Sequence, residues 1–108
     1  MKLSTISVVP GHKIKEHKGI VFGETIIGAN IFKDFLASIR DIVGGRSGSY
    51  ESVIIEARET SMREMMQSAS ALGANAILGI KVDYETLGQS NGMLMVTCSG
   101  TAVLVEKE

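Results

Sequence analysis

The last third of the chain contains a run that constrains the fold more than any other feature. Between residues 93 and 105, Met93, Met95, Val103 and Val105 fall on one side of an extended strand, and Leu94, Val96, Cys98, Ala102 and Leu104 on the other. A strand in an antiparallel sheet with one wet face alternates cleanly between apolar and polar residues. This one is apolar on both faces and has to be covered twice. The chain has 108 residues, the size of one domain, so a single domain over 1–108 is expected. One layer of helix can supply the first cover, and a neighbouring copy is the simplest source of the second. Aromatic residues make up only 5% against 44% hydrophobic. The apolar surface is therefore built from aliphatic side chains, Ala and Met beside 12 Gly, which lets backbones approach closely.

The remaining elements follow from periodicity. In residues 76–85, Ala76, Leu78, Ile80, Val82 and Tyr84 alternate with Gly79, Lys81, Asp83 and Glu85, which predicts a half-buried strand. Gly88-Gln89-Ser90-Asn91-Gly92 predicts the hairpin loop that follows. Upstream, residues 3–9 read as a strand ending at Pro10-Gly11, and residues 13–27 as a β segment interrupted around Gly19 and Gly23. Ile31, Phe32, Phe35, Leu36, Ile39, Ile42 and Val43 recur at helical spacing, between a cap at Asn30 and a stop at Gly44-Gly45. A second helix is expected over 50–72, capped by Ser49, closed by Gly73 and striped by Ile55, Met62, Met66, Ala69 and Leu72. Ser61-x-x-Glu64 imitates a capping box, but no Gly or Pro supports a break near Thr60. The order β, β, α, α, β, β predicts an α+β two-layer sandwich of a mainly antiparallel sheet and two helices.

Charge and cysteine content narrow the partners. Eleven basic residues against twelve acidic ones leave no positive surplus for a phosphate backbone, so nucleic acid is not an expected partner. Low net charge and high apolar content exclude disorder. A lone Cys98 fits a reducing compartment, and the opening residues hold no signal-like apolar run, so a soluble cytoplasmic protein is expected. Residues 86–105 are uncharged, but Gln89, Ser90, Asn91, Thr97 and Ser99 interrupt them, and no membrane segment is expected.

Several short blocks resemble those of a known family. Gly45-Arg46-Ser47 with Ser49-Tyr50-Glu51, Gly73-Ala74-Asn75-Ala76-Ile77 running to Asp83-Tyr84-Glu85, and Gly100-Thr101-Ala102-Val103 are similar to the signature blocks of the YbjQ-like family, in the right order and across the whole chain. The resemblance implies a dodecin-like α+β subunit assembled into a homopentameric ring. It also brings a heavy-metal-binding role, ascribed to the family by structural analogy, and no established catalytic residue.

Soft or borderline ligands suit such ions, and the chain offers Cys98, His12, His17 and five internal Met: Met62, Met65, Met66, Met93 and Met95. No CxxC, HxxxH or close Cys-His pair exists. His12 and His17, five apart, would face opposite sides of a continuous strand. Cys98 and the helical Met also read simply as core. A cyclic assembly can turn one residue per subunit into a ring of ligands, which brings in the strand pair Asp83 and Glu85. The metal candidates are thus His12, His17, Cys98, Asp83 and Glu85, for a divalent or heavy-metal ion. A second possibility is a phosphate or carboxylate held by Arg46, Ser47 and Ser49 before the second helix. No HExxH or GxGxxG occurs, no nucleophile elbow is recognisable, and no enzyme is expected. The expected function is metal binding by a homo-oligomeric ring, with a small-molecule or anion-binding ring, or a purely structural one, as the alternative.

Overall fold

The structure is a computed structural model that describes residues 1–28, 30–31, 48–88 and 92–108. Residues 32–43 of the predicted helix, its stop at Gly44-Gly45 and the tip of the hairpin loop lie outside the described residues. The described elements are β1 (Lys2–Leu3), β2 (His12–Ile27), α1 (Gly48–Ala71), β3 (Ala76–Leu87) and β4 (Met93–Lys107). They form an α+β fold in which α1 lies across one face of a four-stranded sheet of order β1-β3-β4-β2. β1 runs parallel to β3 and the other pairs are antiparallel, so the sheet is mixed.

The helix is continuous through Thr60. Ser61 does not cap a new helix but lies fully buried in the middle of this one. Its Oγ is 2.9 Å from the Ala57 carbonyl, 3.1 Å from the Val96 carbonyl and 3.0 Å from Thr25 Oγ1. The single hydroxyl proton serves one carbonyl while Thr25 can donate to the oxygen. At the C-terminus Gly73 adopts φ 84°, the Gly73 amide donates to the Ser70 carbonyl and the Ala74 amide to the Ala69 carbonyl. That pair of bonds is a Schellman stop, which a left-handed glycine permits.

Under the helix the core comprises Val21, Met65, Ala69, Ile77, Cys98 and Ala102, continued by Ile27, Ala57, Leu94 and Val96. The fully buried Met65, Ile77 and Val96 each contribute about 2 kcal/mol in area removed from water. A Cβ at Gly23 would overlap the Ser61 carbonyl and lie 2.9 Å from the Met65 amide nitrogen, so only glycine lets β2 pass this close to α1.

Three register shifts rearrange faces that alternation alone predicts. In β3 the shift between Leu78 and Lys81, at Gly79 with φ 59°, reverses the side-chain parity. Ala76 and Leu78 therefore pack with Val103 and Val105 on the face away from the helix, whereas Ile80 and Val82 pack under the helix. The expected single stripe from Ala76 to Tyr84 is split at that point. In β2, shifts between Ile14 and Glu16 and between His17 and Gly19 replace the expected break with one 16-residue strand. Of the strand expected over 3–9 only Leu3 is extended in the sheet, as the end of the two-residue β1. Beyond it, hydrogen bonds from Gly79 and Ile80 to the Ile6 and Ser4 carbonyls hold the segment to the edge of β3.

The double-sided character of β4 is real, and its second cover is partial. Val9, from the N-terminal segment, packs over Ala76, Leu78, Val103 and Val105. Beyond that patch no described element covers the second face. Ile20, Phe22 and Ile26 of β2 lie on it 69%, 56% and 56% exposed, with Met93 and Met95 half-buried beside them. β2 is also the edge strand, with no partner on its outer side among the described residues.

Candidate functional site

Cross-strand pairing assigns each candidate ligand to a face. On β4 the even-numbered residues from Leu94 to Ala102 are buried toward the helix, so partners of odd-numbered residues lie on the open face. His12 pairs with Lys107 and His17 with Val103, while Asp83 pairs with Thr97 and Glu85 with Met95. All four candidates therefore share the open face. The first shift in β2 adds one residue between the histidines and turns both to one side, against the expectation that they would face oppositely. Four β4 positions still separate their partners, about 13 Å along the strand, so one ion cannot take both.

Cys98 lies on the other side of the sheet, fully buried beneath α1 with Met65, Ala69 and Val21. Burial pushes its thiol pKa up, and the Arg58 guanidinium opposes that rise only in part. A protonated, sealed thiol is a small hydrophobe, not a ready ligand. The sheet backbone separates it from the four open-face donors.

The open-face donors have distinct surroundings. His12 Nδ1 lies 3.0 Å from the Pro10 carbonyl. When Nδ1 carries the proton it donates there, and Nε2 keeps the lone pair that a metal needs. His17 lines a shallow depression of about 200 Å³ with Ser7, Ile14 and Thr101. Asp83 is half-buried, with Lys81 Nζ at 3.5 Å from its Oδ1, and Glu85 is exposed. Glu24, which composition and spacing do not single out, shares this face. It pairs with Thr97 of β4, whose other neighbour is Asp83 of β3, so Glu24 and Asp83 flank Thr97 in one cross-strand row. The signal for Glu24 was its place in the alternation Ile20, Phe22, Glu24, Ile26; the register that sets it level with Asp83 has no local signature.

These residues do not by themselves make a metal centre. Among the described residues no three His, Cys, Asp or Glu side chains converge. Arg46, Ser47 and the side chain of Ser49, the predicted anion site, lie outside the described residues. No described helix is long and apolar enough to cross a membrane.

A helix laid on one face of a mixed four-stranded sheet, with an edge strand carrying exposed apolar residues on the other face, defines an α+β protein whose donors are spread over an open surface. The chain belongs to the YbjQ-like family: the family model, described as "Putative heavy-metal-binding", matches residues 1–106. Among solved structures it is similar to a protein of unknown function of the DUF74 family from Pediococcus pentosaceus ATCC 25745. That likeness has 19% identity and a TM-score of 0.59, and covers 98% of each chain, so it speaks for the fold alone.

Proposed function

We propose that the chain is the subunit of a cytoplasmic homo-oligomeric ring, a pentamer, that binds a divalent or heavy-metal ion and catalyses no reaction. One observation carries the assembly: Ile20, Phe22 and Ile26 stand exposed along an edge strand that is 16 residues long. Monomeric proteins blunt such edges with short strands, charges, bulges or a covering element; in β2 the bulges and lysines lie before Gly19, and from Gly19 to Ile27 the only charge is Glu24. The shape agrees, since the radius of gyration is 16.9 Å, against about 13 Å for a compact chain of this length. A flat subunit of this kind gains its missing core from its neighbours.

The metal reading rests on the family description and on the open-face donors. Among the described residues of one subunit the donors are too few and too far apart, and rotational symmetry is what multiplies a single carboxylate or imidazole into a ligand set. Asp83 and Glu85, with Glu24 in the adjacent row, supply hard oxygen donors, and His12 and His17 supply borderline nitrogen. Cys98 contributes no ligand in this arrangement.

Elemental analysis of untagged protein, followed by calorimetric titration with Zn²⁺, Cu²⁺ and Ni²⁺, tests the metal reading. Stoichiometric binding that is weakened at least about tenfold in D83N/E85Q or in H12A/H17A, and unchanged in C98A, is the expected result. No binding by the native protein, or equal binding by all variants, would overturn it.

A further inference from the structure

A second surface, on the helix side of the sheet, is built differently from the open face. Between α1 and β3 runs a groove of about 490 Å³ whose floor is Met62, Met66, Ile80 and Val82 and whose rim carries Arg58 and Arg63. We propose that this groove binds an amphipathic carboxylate, a molecule with a flexible apolar body and a single anionic head such as a medium-chain fatty acid. The inference is independent of the metal reading and of the ring.

The volume falls in the range of small-molecule sites, which are apolar clefts with a few placed polar groups. Two of the four floor side chains are Met, unbranched and polarisable, which mould to a flexible chain better than branched residues do. The head group is selected by charge. Arg58 and Arg63 face one carboxylate, Glu59, so the rim is net positive and disfavours a cation. Glu59 and Arg63 are four apart on α1, yet among the described residues neither joins an ion pair. The Arg63 guanidinium is exposed and has its planar donors available for a carboxylate. Arg58 is held at the rim by a long contact of 3.5 Å from Nη1 to the Tyr84 hydroxyl. Its field reaches the Cys98 thiol in the core beneath. A small hydrophilic anion would satisfy the rim and leave the floor wet, whereas an uncharged hydrocarbon would cover the floor and gain nothing from the guanidinium groups.

The test uses the full chain with ¹³C-methyl methionine and two probes of equal chain length, decanoate and decan-1-ol, with sedimentation velocity in parallel. Decanoate is expected to shift the Met62 and Met66 methyl signals saturably and to leave the Met93 and Met95 signals in place. Decan-1-ol should bind at least about tenfold more weakly, and R63Q should weaken decanoate by about tenfold or more, the worth of one charge-assisted bond. R58Q/R63Q should reduce decanoate to the level of the alcohol. Both arginines are exposed, so folding should survive, and an unchanged thermal transition checks this. The proposal is overturned by absence of binding at millimolar decanoate, by equal affinity for the alcohol, or by shifts at Met93 and Met95 instead. It is overturned too if R63Q alters the sedimentation coefficient of the ligand-free protein, because the groove is then a contact between copies.

Discussion

Gly23 of β2 lies directly beneath the carbonyl of Ser61 in α1, and a side chain at that position would occupy the same space as the carbonyl oxygen. This contact fixes how closely the helix approaches the sheet. It brings the Ser61 hydroxyl within reach of both its own helix and the Val96 carbonyl. A polar side chain thereby sits fully buried at the helix–sheet interface with its bonds made.

Replacing Gly23 by Ala forces backbone against backbone, since the neighbours it meets are the Ser61 carbonyl and the Met65 amide nitrogen and not the end of a flexible side chain. G23A is expected to cost at least about 2 kcal/mol, at the upper side of overpacking effects. Urea denaturation followed by circular dichroism measures it. A change under about 0.5 kcal/mol would mean that the helix rides higher than described.

S61A removes a hydroxyl that bridges α1 to β4 and leaves the Thr25 hydroxyl without this acceptor. A loss of about 1 kcal/mol is expected in the same assay. S61V is expected to cost more, because it adds volume at a fully buried position and supplies no acceptor.

Burial raises the Cys98 thiol pKa above its ordinary value of 9.0. Above that pH the unfolded chain loses the thiol proton first and binds fewer protons than the native state. Stability attached to Cys98 is thus fully present below pH 9.0 and is lost as pH rises through the native pKa. Between pH 8 and 10.5 the native protein should therefore lose more stability than C98A does, and native Cys98 should react with a thiol reagent at pH 7.5 only after denaturant is added. Prompt native-state labelling would contradict the assigned burial.

Phe22 points away from the helix and is 56% exposed in the single chain. A charge there should leave the fold of the subunit in place but keep neighbours off the open face. F22K and I20K are expected to lower the oligomeric mass while circular dichroism remains native-like. If both variants keep the native mass, the contacts between copies lie elsewhere.

Much of the fold could be read from the residues. The periodicity of Met62, Met66 and Ala69 and the stop at Gly73 placed α1 to within two residues at its start and one at its end. The two-sided apolar pattern of residues 93–105 marked the strand that the helix covers on one side and Val9 covers in part on the other. Bulges were what local pattern could not supply. Gly79 reads as an ordinary member of an alternating strand, yet the shift at that point sends Leu78 and Val82 to opposite faces. The extra residue between Ile14 and Glu16 brings His12 and His17 onto one face, a consequence of pairing with β4 and not of spacing within β2. For the candidate site, the donors were legible one by one, and their common face became visible only through the register. The groove under Arg58 and Arg63 has no local sequence signature, because its floor joins α1 to β3 and Met62 and Met66 read as core alone.

In the proposed assembly other copies of this chain cover the open face and the β2 edge. Sedimentation velocity of the untagged protein from 1 to 50 μM tests it directly. A single species whose mass is a small integer multiple of the subunit, five for the proposed ring, is expected. A well-behaved monomer across that range, with Ile20, Phe22 and Ile26 in water, would contradict it.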